Sequence, residues 1–158
     1  MEQLYQQLIL DHSRRPHGKG LLEAFDGESF QVNPTCGDQV RLRVTLAPDG
    51  ARLATLGWDG QGCSISQASI SVMNDLVAGL ALPEVAALGE AFGLLMHSRG
   101  RGVPDQVADS LGDAIAFEGV SQYPMRVKCA LLGWMALKDA VAKAAAGDSS
   151  PAHVPEGI

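Results

Sequence analysis

Three cysteines, Cys36, Cys63 and Cys129, and one aspartate, Asp38, are the residues whose types suit metal or sulfur chemistry in this chain. A thiolate is both a nucleophile and a soft metal ligand. An odd number of cysteines cannot pair fully within one chain, and in a reducing compartment three thiols are not a disulfide framework. Metal binding, catalysis or inert burial remain, and a lone cysteine most often packs as a small apolar side chain. The local sequences favour a site. Cys36-Gly37-Asp38 and Gly60-Gln61-Gly62-Cys63 read as turns, not as apolar core runs. Three thiolates and a carboxylate make a ligand set for tetrahedral zinc, and with a divalent cation they leave a charge of about −2. Arg126 and Lys128 flank Cys129 and suit that charge. A cysteine hydrolase needs a histidine beside a thiol, and nothing in the sequence puts one there. His12, His17, His97 and His153 read as exposed side chains and not as ligands.

The elements that must position these residues follow from hydrophobic periodicity. Leu4, Leu8 and Ile9 predict a short amphipathic helix that fails at Pro16. Residues 16 to 29 read as irregular, leading to a strand near Phe30 and Val32. Val40, Leu42, Val44 and Leu46 alternate with Arg41, Arg43 and Thr45, which predicts a strand with one wet face. Ala47-Pro48-Asp49-Gly50 is turn chemistry, and Arg52 to Trp58 resume as an antiparallel partner. With the turn at 48 and 49, opposed residues have numbers summing to roughly 97 to 98. Cys36 and Asp38 then lie opposite roughly 59 to 62, with Cys63 just beyond. In extended chain, residues two apart point to one face, so Cys36 and Asp38 are expected to point together.

Ile65, Val72 and Leu76 predict a helix running to Leu80 with Ser64 or Ser66 as N-cap, which puts Cys63 at a helix N-terminus. A helix from Pro83 carries Val85, Leu88, Phe92 and Leu95, and Ser98-Arg99-Gly100-Arg101-Gly102 reads as exposed and mobile. Residues 105 to 119 hold a weak helical pattern interrupted by Gly112. Pro124 opens a last helix with two apolar stripes, one bearing Cys129. The hairpin does not place Cys129, whose membership of the site is an inference from ligand chemistry.

The 158 residues, 46% hydrophobic, suffice for one core, so a single domain over 1–146 with a disordered tail over 147–158 is expected. Twelve basic against 18 acidic residues give a net charge of −6, which repels nucleic-acid phosphate. The first ten residues lack a signal-peptide pattern, and no apolar run reaches membrane-spanning length. A cytoplasmic protein bound to neither nucleic acid nor membrane is the expectation.

Asn33-Pro34-Thr35-Cys36-Gly37-Asp38, Gly60-Gln61-Gly62-Cys63-Ser64-Ile65-Ser66 and Arg126-Val127-Lys128-Cys129-Ala130-Leu131 together resemble the U-type iron–sulfur assembly proteins of the NifU/IscU-like superfamily. The likeness is greatest to the SufU branch. It implies an α+β fold of the SufE/NifU-like kind, a small antiparallel sheet of about three strands packed by several helices. It also implies Cys36, Asp38, Cys63 and Cys129 as metal ligands. The IscU branch has a histidine directly before its third cysteine, where this chain has Lys128, and Tyr123-Pro124-Met125-Arg126 stands in place of its chaperone-binding segment. By this resemblance the protein is a zinc-dependent, sulfurtransferase-like acceptor. A pyridoxal-phosphate cysteine desulfurase of the SufS type would dock, a desulfurase histidine would replace Cys36 on zinc, and Cys36 would take sulfur as a persulfide for downstream cluster-assembly proteins. Arg126 is the candidate electrostatic partner of Asp38 or of the released Cys36 thiolate. Two alternatives stand beside this: a scaffold on which iron and a labile [2Fe-2S] cluster assemble, and a structural zinc module that only binds partners.

Overall fold

A computed structural model describes residues 2–35 and 37–152. Its elements run α1 (Glu2–Arg14), β1 (Gly27–Asn33), β2 (Asp38–Leu46), β3 (Leu53–Gln61), α2 (Ser64–Val77), α3 (Leu82–Met96), α4 (Asp105–Leu111), a run of 3-10 turns over Gly112–Gln122, and α5 (Pro124–Ala145). The strands form one antiparallel sheet in the order β1-β2-β3. This is the α+β architecture expected from the sequence.

The alternation in β2 decides which side of the sheet is covered. Val40, Leu42 and Val44 are fully buried and lie on the face that α5 packs against. The other face carries Arg41 and Arg43, opposite Phe30 and Glu28 in register. The Glu28 carboxylate accepts from both guanidiniums, and Arg41 also covers the Phe30 ring, 5.0 Å from its centroid. Beneath the helices, Phe92 stacks on Trp134 at 4.8 Å and meets Phe117 edge-on at 5.9 Å. That aromatic contact ties α3, α5 and the 3-10 segment into one core.

Several boundaries differ from the sequence expectation. β2 and β3 pair with numbers summing to 100 over most of their length, as in Val40↔Gly60 and Thr45↔Thr55, and a bulge lies between Thr45 and Leu46. The hairpin is longer than expected because Ala47 N–H donates to Arg52 O, enclosing more chain than a two-residue turn. α2 stops at Val77, with Gly79 at φ +83, and α4 stops at Leu111, before Gly112. The glycine-rich segment after α3 is a hydrogen-bonded turn. Ser121 Oγ accepts from Gly100 N–H at 2.7 Å, and Ser98 Oγ accepts from Gly102 N–H at 3.2 Å. In the expected tail, Ala152 N–H donates to Glu28 Oε1 at 2.9 Å, while residues 153–158 lie outside the described residues.

Candidate functional site

β1 and β2 are joined by a tight connection in which Gly37 N–H donates to Asn33 O at 2.9 Å. Gly37 adopts φ +75, a conformation that costs a residue with a Cβ. The chain is therefore not extended through Gly37, and the premise that aimed residues 36 and 38 at one face does not hold. Cys36 lies outside the described residues.

Asp38 opens β2 and is 1% exposed. Because Gln39 pairs with Gln61, the next residues of the two strands, Asp38 and Gly62, come level. A Cβ on Gly62 would sit 2.5 Å from Asp38 Oδ1 and 2.5 Å from Ser66 Oγ, so only glycine permits this approach. Cys63 follows and is itself the N-cap of α2, in extended conformation. Neither Ser64 nor Ser66 caps the helix, and Ser66 Oγ instead donates to Cys63 O at 3.0 Å. The Asp38 carboxylate meets the helix start, where Oδ1 accepts Cys63 N–H at 3.0 Å and Oδ2 lies 3.8 Å from Cys63 Sγ. Negative charge at a helix N-terminus is favourable, and the Asp38 side chain stands there as the capping group of α2.

Cys129 arrives from the second turn of α5, buried, with its thiol 3.6 Å from Met125 O. Ser69 Oγ of α2 donates to Ala130 O at 2.7 Å and locks the two helices beside the thiol. The result is a cluster of Asp38, Cys63 and Cys129 whose ligand atoms all lie within 4.8 Å of one another. Cys63 is exposed, so the cluster is open to solvent at that corner. Asn33, the strand partner of Asp38, has a buried Nδ2 without a hydrogen-bond partner among the described residues. Arg126 is exposed on the first turns of α5, its guanidinium 5.2 Å from the centre of the Tyr123 ring, and Lys128 is also exposed. Arg126, Tyr123, Tyr5, Ile9, Ser64 and Ile65 line a groove beside the exposed thiol.

Zinc bound to sulfur at about 2.3 Å and to oxygen at about 2.1 Å holds its ligand atoms about 3.5 Å apart. The observed spacings, at most 4.8 Å, need to close by about 1.3 Å at most. Two sulfurs and an anionic oxygen are a donor set that suits zinc, and the exposed corner leaves room for a further ligand.

A second group of ligand-type side chains, missed by the sequence reasoning, lies elsewhere. His12, His17 and Asp75 offer ligand atoms within 4.8 Å of one another. Its signal in the sequence is weak, since Asp75 is far from the histidines along the chain. Burial holds the His12 pKa below its ordinary value of 6.5, helped by the neighbouring His17 and opposed by Asp75, Asp113 and Asp11.

A buried carboxylate beside one exposed and one buried thiol, at the junction of a sheet with two helix starts, puts the chain among small α+β proteins built around a thiolate–carboxylate centre. The chain belongs to the NifU-like N-terminal domain family of iron–sulfur cluster assembly proteins, whose sequence profile matches residues 4–130. It is 38% identical over 151 residues to the zinc-dependent sulfurtransferase SufU of Bacillus subtilis (strain 168), covering 94% of this chain and 96% of that one. It is 36% identical over 145 residues to the iron–sulfur cluster assembly scaffold protein IscU of Streptococcus pyogenes serotype M1, covering 92% and 87%. The crystal structure of a putative iron–sulfur cluster assembly scaffold protein for the SUF system from Fervidobacterium islandicum AW-1 superposes with a TM-score of 0.78 at 31% identity, covering 89% of this chain and 98% of that one. Among the described residues, no helix is long and apolar enough to cross a membrane.

Proposed function

We propose that the protein accepts persulfide sulfur from a pyridoxal-phosphate cysteine desulfurase and passes it on for iron–sulfur cluster assembly, with zinc held by Cys36, Asp38, Cys63 and Cys129. The observation that carries this reading is the convergence of Asp38, Cys63 and Cys129 within 4.8 Å at a solvent-open corner. The 38% identity to a protein named a zinc-dependent sulfurtransferase supports it. Bound zinc supplies Lewis acidity that keeps thiols deprotonated at neutral pH. Asp38 anchors the centre through Cys63 N–H.

Cys36 is the proposed acceptor. Its thiolate attacks the terminal sulfur of the desulfurase persulfide, a new S–S bond forms on Cys36, and the old one breaks with its electron pair left on the desulfurase thiolate. One sulfur atom moves and there is no net oxidation. Arg126, beside the groove next to Cys63, is the proposed electrostatic partner of the charge that develops.

Metal analysis combined with persulfide mapping by mass spectrometry tests the proposal. We expect one zinc at the thiolates, sulfur labelling on Cys36, and loss of both desulfurase stimulation and labelling in Cys36→Ser. Thiolates that hold no zinc, or a Cys36→Ser variant that still receives sulfur, would defeat it. The identity to a protein named a scaffold favours a second reading, assembly of a labile [2Fe-2S] cluster on the same residues with Asp38 as the non-thiolate ligand. Anaerobic reconstitution that yields a stable visible chromophore, transferable to an apo-ferredoxin, would select it.

A further inference from the structure

We propose that His12, His17 and Asp75 form a second divalent-cation site, separate from the thiolates and suited to zinc or another transition ion that prefers imidazole. α1 ends at Arg14 because Pro16 cannot continue it, and the chain doubles back along α2. His17 anchors that return. Its N–H donates to Ser71 Oγ at 2.7 Å, and its carbonyl accepts Trp58 Nε1–H at 2.9 Å. Ser71 and Asp75 are four residues apart and share a face of α2. On that face Ser71 Oγ holds His12 Nδ1 at 2.6 Å, and Asp75 Oδ2 holds His17 Nδ1 at 2.6 Å. The two imidazoles lie 4.7 Å apart, centroid to centroid.

Two features favour a cation there. Asp75 stands in the last turn of α2, where the negative end of the helix disfavours a carboxylate and welcomes positive charge. Asp113 and Asp11 add their negative fields at His12, while the nearby cation Lys19 is committed to the face of Trp58, 5.6 Å from its ring centre. The ligand set also has outer support. Ser71 is fully buried and fixes the His12 ring, as a metal-bound histidine requires of the partner of its other nitrogen. Two imidazoles and a carboxylate are hard enough to take zinc, nickel or copper without a thiolate. His17 and Asp75 are half exposed, so an ion reaches them directly.

Long-range proton–nitrogen spectra of ¹⁵N-histidine-labelled protein, recorded during titration with zinc, test the site whatever the thiolates hold. The imidazole nitrogens of His12 and His17 should shift and saturate together over about one equivalent beyond that taken by the cysteines, while His97 and His153 stay in place. His17→Ala, which keeps the backbone anchors, and Asp75→Asn should each weaken this event by about tenfold or more. Should one variant unfold, the other decides. His12 and His17 resonances that stay unmoved in several-fold excess of zinc, or a folded His17→Ala protein that binds like the parent, would overturn the proposal.

Discussion

Replacing Gly62 by alanine perturbs the thiolate–carboxylate cluster without replacing any of its ligands. The added methyl carbon would sit 2.5 Å from Asp38 Oδ1, 2.8 Å from Asp38 Cγ and 2.5 Å from Ser66 Oγ. Ordinary contact is about 3.5 Å, so about 1 Å of displacement is required. Ser66 can rotate away, at the loss of its bond to Cys63 O, worth about 1 kcal/mol. Asp38 moves less easily, being 1% exposed and bonded to Cys63 N–H. Overpacking a site of this kind costs about 1–3 kcal/mol. Urea unfolding of chelator-treated protein separates the effect from metal binding. With a slope of about 2 kcal/mol per molar, a loss of about 2 kcal/mol lowers the midpoint by about 1 M. The slope should stay unchanged, and zinc affinity at the thiolates should fall with stability, since Asp38 is the group displaced. A midpoint and a zinc affinity both equal to the parent's would refute the claim that Gly62 is required by the approach of Asp38.

Gly89, within α3, has nothing within 4 Å of an added Cβ, so Gly89→Ala should stabilise by about 0.5–1 kcal/mol in the same assay. In folded, chelator-treated protein, alkylation followed by peptide mass spectrometry should modify exposed Cys63 well before buried Cys129, and unfolding in urea should remove the difference. Burial pushes the Glu28 carboxyl up, but the hydrogen bonds from Arg43 and Ala152 N–H and the charges of Arg41 and Arg43 outweigh it, and its pKa lies below the ordinary 4.5. That contribution to stability is present above pH 4.5 and disappears as pH falls through the lowered folded value. Glu28→Gln should therefore flatten the acid limb of a plot of unfolding free energy against pH, and an unchanged limb would count against the coupling.

The nearness of Asp38 and Cys63 was legible because two kinds of local chemistry fixed it: strict alternation in Val40–Leu46 and turn residues before Arg52. The register itself was off by two to three in the sum, since proline and glycine mark a turn but not the bulge between Thr45 and Leu46 or the extra chain closed by Ala47 and Arg52. The conclusion survived because both cysteine-bearing segments lie at the open end of the hairpin, where a small slip still leaves Asp38 beside Gly62. The cap of α2 was misassigned for a different reason. Serine is the commoner N-cap, but here a carboxylate from a neighbouring strand does that work, and no local pattern reveals it. Cys129 was beyond reach of the hairpin, because its place depends on how α5 crosses the sheet and meets Ser69. The pairing of His12 with Ser71 and of His17 with Asp75 was out of reach for a similar reason: these partners are brought up only by the return of the chain after Pro16.

α2 connects the two clusters and separates them. Cys63 caps its N-terminus and Asp75 lies in its last turn, so at 1.5 Å per residue the two positions are about 18 Å apart along the helix. No single ion bridges that distance. The same macrodipole acts with opposite sign at the two ends, welcoming negative charge beside Cys63 and a cation at Asp75. Loss of the histidine cluster should therefore leave the thiolates able to hold metal, and loss of Cys63 should leave the histidines able to do so. A metal-to-chain ratio measured on the whole protein sums two chemically unlike sites, so a ratio above one is no evidence against the thiolates holding a single zinc. The discriminating measurement is the ratio in His17→Ala, where the count should return to the thiolates alone. A ratio above one that His17→Ala leaves unchanged would place the extra ion outside the histidine cluster.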